Sequence, residues 1–145
     1  KRKLSYVGAG HEHILVFRQK TGVVDVLTSG GIALGMVPDN SKLVKEVPLE
    51  LEEGDSVVLY SDGITEARNA AGEMFGLQRL QESVQRYAPE YNPEGIAQHL
   101  ADDVGHFIQG HLPDDDMSLI IVKYIGDKAV DSKDIGQKTG WVEGV

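Results

Sequence analysis

The chain has 145 residues, 41% hydrophobic and 26% charged, an ordinary globular balance for one domain long enough to bury a core. Its 14 basic residues against 23 acidic ones give a formal net charge of −9, which disfavours nucleic acid and anionic membrane surfaces and favours cations and basic protein partners. The absence of cysteine excludes disulfides, thiolate zinc sites and a cysteine nucleophile, in keeping with a cytoplasmic setting.

The longest apolar runs, such as LIIV at 119–122, fall far short of the ~18 residues of a membrane span, so no membrane association is expected. The chain opens on KRKLSYVGAGHEHILVFRQKTGVVDVL, two runs of alternating β-branched and aromatic residues joined by Lys20-Thr21-Gly22, and this predicts a hairpin. SGGIALGMVPDNSK then carries Gly30, Gly31, Gly35 and Pro38, a density of backbone punctuation that suits a loop. Two further strands are expected in KLVKEVPLEL and DSVVLY, separated by Glu52-Glu53-Gly54, and the unbroken apolar run Val57 to Tyr60 suggests a strand covered on both faces.

After Asp62-Gly63 the period changes. Leu77, Leu80, Val84 and Tyr87 recur at helical spacing, as do Ile96, Leu100, Val104 and Phe107, which predicts two amphipathic helices. Asn92 is placed to cap the second, with Pro93 at its first position and Gly110 where it should stop. HLPDDD reads as an acidic loop feeding a last strand in MSLIIVKYI, and residues 126–145 read as a flexible polar tail. Strands first, helices next and one strand last predict an α+β fold in which helices cover one face of a mainly antiparallel sheet.

Two acidic stretches stand out. Asp62 leaves the C-terminal end of a buried strand and Asp114-Asp115-Asp116 enter another, so the two ends meet if those strands are antiparallel neighbours. Carboxylates gathered in one place repel unless a cation compensates, and all-oxygen donors select hard ions such as Mg²⁺ or Mn²⁺. The alternatives are structural. Asp62 suits a strand-to-helix cap, and the Asp triplet suits a solvated loop that satisfies its own backbone N–H groups. Calcium is a further option, although the D-x-D-x-D-G loop of an EF-hand is missing.

His11 and His13, two apart on an expected strand, share a face and could bind a metal together or stand as an ordinary surface pair. His99 and His106 have no metal-binding spacing, GGIALG lacks a nucleotide-binding spacing, and no serine sits in a G-x-S-x-G elbow.

The succession AGHEHILVF, GIALGM, LEEGDSVVLYSDGITEARNAAGEMFGLQRL and PDDDMSLIIVKY resembles the later part of the PPM-type metal-dependent serine/threonine phosphatases, in the bacterial SpoIIE and RsbU-like branch. The likeness runs from about Leu4 to Tyr124, so residues 1–125 are expected to be the C-terminal portion of such a domain. The resemblance implies an αββα sandwich holding two Mn²⁺ or Mg²⁺ ions, which activate a water for attack on a phosphoserine or phosphothreonine. It further implies a phosphorylated regulatory protein of the anti-anti-sigma type as substrate.

The aspartate of the family's YSDG motif is a metal ligand, and it falls on Asp62. The late motif supplies another ligand from its first acid, which falls on Asp115 in DDMS. Asp116 would then support the metal site from beside it, and Asp114 would be the ligand if the register lies one residue earlier. Gly63 is expected to let the backbone pass close to the ions, or to be an ordinary turn glycine. The family's AGH stretch is usually followed by prolines, whereas Glu12 and His13 follow His11 here, which sets this loop apart.

The resemblance also places further metal ligands upstream of Lys1, so this chain by itself is expected to bind metal weakly. A non-catalytic phosphatase-like binding module is the competing reading, and a homodimer formed through an open sheet edge is a further expectation.

Overall fold

Alternation along residues 14–18 sends Leu15 and Phe17 to one face and Ile14 and Val16 to the other, and both faces are buried. That requires a layer on each side. The computed structural model describes residues 2–33, 35–39, 45–111 and 115–126, and it supplies both layers. Strands β1 (Arg2–Val7), β2 (Ile14–Arg18), β3 (Val23–Leu27), β4 (Glu46–Leu51) and β5 (Ser56–Tyr60) come first. A single turn α1 (Asp62–Thr65) follows, then helices α2 (Gly76–Tyr87) and α3 (Pro93–Ile108), and β6 (Leu119–Lys123) closes the succession. The expected tail lies outside the described residues, apart from Gly126.

A four-stranded antiparallel sheet runs in the order β3-β2-β5-β6, and β1 pairs antiparallel with β4 in a separate two-stranded sheet. Helices α2 and α3 pack their Leu80, Val84, Ile96, Leu100 and Val104 against Leu15, Phe17, Val58 and Tyr60. On the other face Ile14, Val16 and Val57 meet Leu49 and Leu51 of the second sheet. The result is a helix–sheet–sheet layering, the α+β sandwich expected, with its antiparallel strands and two amphipathic helices. The outer side of β1 is open to solvent: every residue of that strand is exposed except the half-buried Tyr6.

The opening run differs from the single hairpin partner expected of it. Gly8 and Gly10 split it into β1 and β2, which belong to different sheets, and only β2 forms the predicted hairpin with β3. A side chain at Gly8 would strike the Ser29 carbonyl, so the break folds tightly onto the glycine loop at 29–31. His11 and His13 therefore lie in the irregular lead-in to β2 rather than on a strand. Likewise β4 and β5 follow one another across Glu52-Glu53-Gly54 without pairing, because the chain changes sheets there.

That sheet change is held by a buried charge. Asp55, 1% exposed, accepts from Arg18 Nη1 at 2.9 Å and from the backbone N–H groups of Gln19 and Glu52 at 3.0 and 3.1 Å. Arg18 also donates to Asp25 at 2.8 Å and to the Glu50 carbonyl at 2.8 Å, so one guanidinium ties β2, β3 and β4 together. Burial alone would lower the Arg18 pKa, and its hydrogen bonds and charge contacts with Asp25 and Asp55 outweigh that and raise it.

Candidate metal centre at one end of the four-stranded sheet

Because β5 and β6 are antiparallel neighbours with Tyr60 opposite Leu119, the residues leaving β5 meet those entering β6. Asp62 and the Asp115-Asp116 segment are thereby brought together. The Ser61 N–H donates to the Ser118 carbonyl at 3.0 Å, and the Ser61 hydroxyl donates to the Asp116 carbonyl at 3.0 Å. Gly63 sits where a Cβ would come within 2.5 Å of the Asp116 carbonyl oxygen and 3.3 Å of that of Asp115. Only glycine allows so close an approach of the two segments.

Asp62 opens α1, with Ser61 in extended conformation before it as the N-cap residue, so the strand-to-helix turn is real. Among the described residues the Asp62 side chain accepts from the adjacent Gly63 N–H alone, at 2.9 Å. Asp115 makes the matching bond to the Asp116 N–H at 2.7 Å. Each carboxylate thus keeps its second oxygen free of protein partners among the described residues, and Asp62, Asp115 and Asp116 are all exposed. Asp114 lies outside the described residues.

The strand directions place the start of β2 at this same end, and with it the His11-Glu12-His13 loop. Glu12 is felt at Tyr60, whose hydroxyl is pushed up to about 12, mainly by burial and then by the Glu12 charge. His13 faces Glu12 at 3.9 Å, and the Ser29 hydroxyl donates to the His11 carbonyl. Among the described residues no group of three or more His, Asp or Glu side chains is arranged to hold a metal, so the two histidines do not form a ligand set with the acids.

Comparison with known proteins decides the family. The model of the Stage II sporulation protein E (SpoIIE) family matches residues 1–125. The chain belongs to the SpoIIE family. Among curated relatives of this SpoIIE-family chain, Protein IcfG of Synechocystis is 35% identical over 121 residues, covering 82% of this chain and 18% of that protein. Phosphoserine phosphatase RsbU of Bacillus subtilis is 38% identical over 82 residues, covering 55% of this chain and 24% of that protein.

Solved structures show the same fold. The SiaA-PP2C domain of Pseudomonas aeruginosa superposes with a TM-score of 0.69 at 20% identity, covering 85% of this chain and 46% of that one. The Mn-presoaked phosphatase domain of the cell fate determinant SpoIIE from Bacillus subtilis gives 0.62 at 18% identity, covering 88% and 53%. The chain therefore spans about half the length of these solved domains and a smaller share of the curated relatives.

The donors present at the end of β5 and β6 suit a hard divalent ion. They are carboxylate oxygens of Asp62 and Asp115 from two chain segments, one oxygen of each free of protein partners among the described residues, and Mg²⁺-type sites use one or two carboxylates and fill the rest with water. The residue that sequence reasoning missed is Ser61. Its signal was its place in YSDG, but its bonding partners lie 55 and 57 residues away, visible only once β5 and β6 are in register.

Proposed function

We propose that residues 1–125 form the C-terminal portion of a metal-dependent protein serine/threonine phosphatase domain, acting in the cytoplasm on a phosphorylated regulatory protein of the anti-anti-sigma type. The convergence of Asp62 with Asp115-Asp116 across Gly63 is the observation that carries this reading. Family membership and the phosphoserine phosphatase name of the RsbU relative support it.

In this reading Asp62 and Asp115 hold Mn²⁺ or Mg²⁺, two ions in the complete domain. Asp116 steadies Asp115 through its N–H, and Gly63 admits the loop backbone. The ions, when bound, supply Lewis acidity toward phosphoryl oxygens and the activation of water that hydrolysis at neutral pH requires. The chain's own part would be to hold the Asp62 and Asp115 carboxylates at the end of β5 and the entry to β6, where bound cations would offset their mutual repulsion.

The test is Mn²⁺-dependent release of phosphate from a phosphoserine peptide by the full-length protein. Asp62→Asn and Asp115→Asn are each expected to lower kcat/KM by about a hundredfold or more. Wild-type turnover in both variants would overturn the reading.

A further inference from the structure

The β5–β6 ladder ends in an unusual exchange of acceptors at Ser61. Tyr60 pairs with Leu119, and the next pair, Ser61 with Ser118, makes only one of its backbone bonds, from Ser61 N–H to the Ser118 carbonyl at 3.0 Å. The reciprocal Ser118 N–H donates instead to the Ser61 hydroxyl oxygen at 2.9 Å. The Ser61 carbonyl is thereby released to accept from Ile64 N–H at 3.1 Å, which closes the turn that carries Asp62. The same hydroxyl donates its proton to the Asp116 carbonyl at 3.0 Å. One side chain therefore stands in for a carbonyl in the ladder, frees the backbone to turn, and grips the acidic loop at two points.

We infer that Ser61 is a positioning residue: its hydroxyl fixes the Asp115-Asp116 segment against Asp62 and so sets the affinity of the site for a divalent ion. The inference rests on the phosphatase reading above. Alanine at this position would leave the Ser118 N–H and the Asp116 carbonyl to water and free the loop to slide along the end of β5. The hydrophobic side chains of the core would be unchanged, since Ser61 is half-exposed and is not one of them. Threonine keeps the donor and acceptor, and the extended backbone at Ser61, φ −88° and ψ 159°, suits a β-branched residue.

The experiment is a calorimetric Mn²⁺ titration of the full-length protein and its Ser61→Ala, Ser61→Thr and Asp62→Asn variants, with metal-free melting curves and the Mn²⁺ dependence of phosphate-ester hydrolysis. Ser61→Ala is expected to raise the Mn²⁺ dissociation constant by about tenfold, as loss of a supporting hydrogen bond behind a metal ligand does. Its metal-free melting temperature should stay within about 2 °C of the parent. Its kcat should recover at saturating Mn²⁺, and Ser61→Thr should bind within about twofold of the parent. Parent-like Mn²⁺ affinity in Ser61→Ala, with binding lost in Asp62→Asn, would overturn this inference and leave the phosphatase reading standing. Parent-like affinity in Asp62→Asn would overturn both. A melting temperature lowered in step with affinity, with no rescue by threonine, would reduce Ser61 to a structural role and overturn the inference as well.

Discussion

Tyr60 stands two residues before Asp62 with its ring fully packed, 2% exposed, and its hydroxyl has no hydrogen-bond partner among the described residues. A buried polar group left unpaired costs about 1–3 kcal/mol, whereas the ring itself fills core volume between the sheet and the helices. Tyr60→Phe keeps the ring and removes the orphan. The variant is expected to be about 1 kcal/mol more stable at pH 7 by urea denaturation, and a variant less stable than the parent would contradict the packing described. At this scale the sequence was most informative about charge. Asp62 and the Asp triplet declared themselves by following and preceding apolar runs. Gly63 was legible only as a glycine, because what it makes room for, the carbonyls of Asp115 and Asp116, comes from far along the chain.

Between elements, the periods of the helices carried through in full. Leu80, Val84, Ile96, Leu100 and Val104 face the core as their spacing required, and Asn92 caps α3 by accepting from the Gly95 N–H at 2.8 Å. The pairing of strands was less legible, because alternation reports which residues share a face and says nothing of which sheet a strand joins. Hence β1 and β2 read as one run, and β4 and β5 as companions, although each pair is divided between sheets. The device that makes the second division possible is Asp55, whose carboxylate takes an Arg18 donor and two backbone N–H groups in the core. Removing Asp55 would strip the Gln19 and Glu52 N–H groups of their acceptor and leave Arg18 with Asp25 as its remaining charge partner among the described residues, and a buried polar group left unpaired costs about 1–3 kcal/mol. Asp55→Ala is therefore expected to destabilise the protein by about 3 kcal/mol, read as a lower urea midpoint at unchanged slope, and a parent-like midpoint would refute a clamp at this turn.

For the whole molecule, the layering follows from the strands themselves. The strands β2 and β5 are buried on both faces and so need a covering layer on each side, which the helices and the second sheet provide. The second sheet is only two strands wide among the described residues, so Ile120 and Val122 on the sheet-facing side of β6 stay 58% and 49% exposed. The acids divide in the same way: Asp62, Asp115 and Asp116 gather at one end of β5 and β6, and no third segment among the described residues joins them as a ligand set. What periodicity could not supply was the contact between the two acidic segments, which depends on the β5–β6 register and on the absence of a side chain at Gly63.

The proposed function makes one divalent-ion site of these two segments. It is tested most directly by calorimetric titration of Mn²⁺ into the full-length protein beside its Asp115→Asn variant. The variant's dissociation constant is expected to rise by about a hundredfold or more, because a carboxylate oxygen at the entry to β6 is lost. Unchanged Mn²⁺ binding would mean that the acids entering β6 are only a solvated loop, and would contradict it.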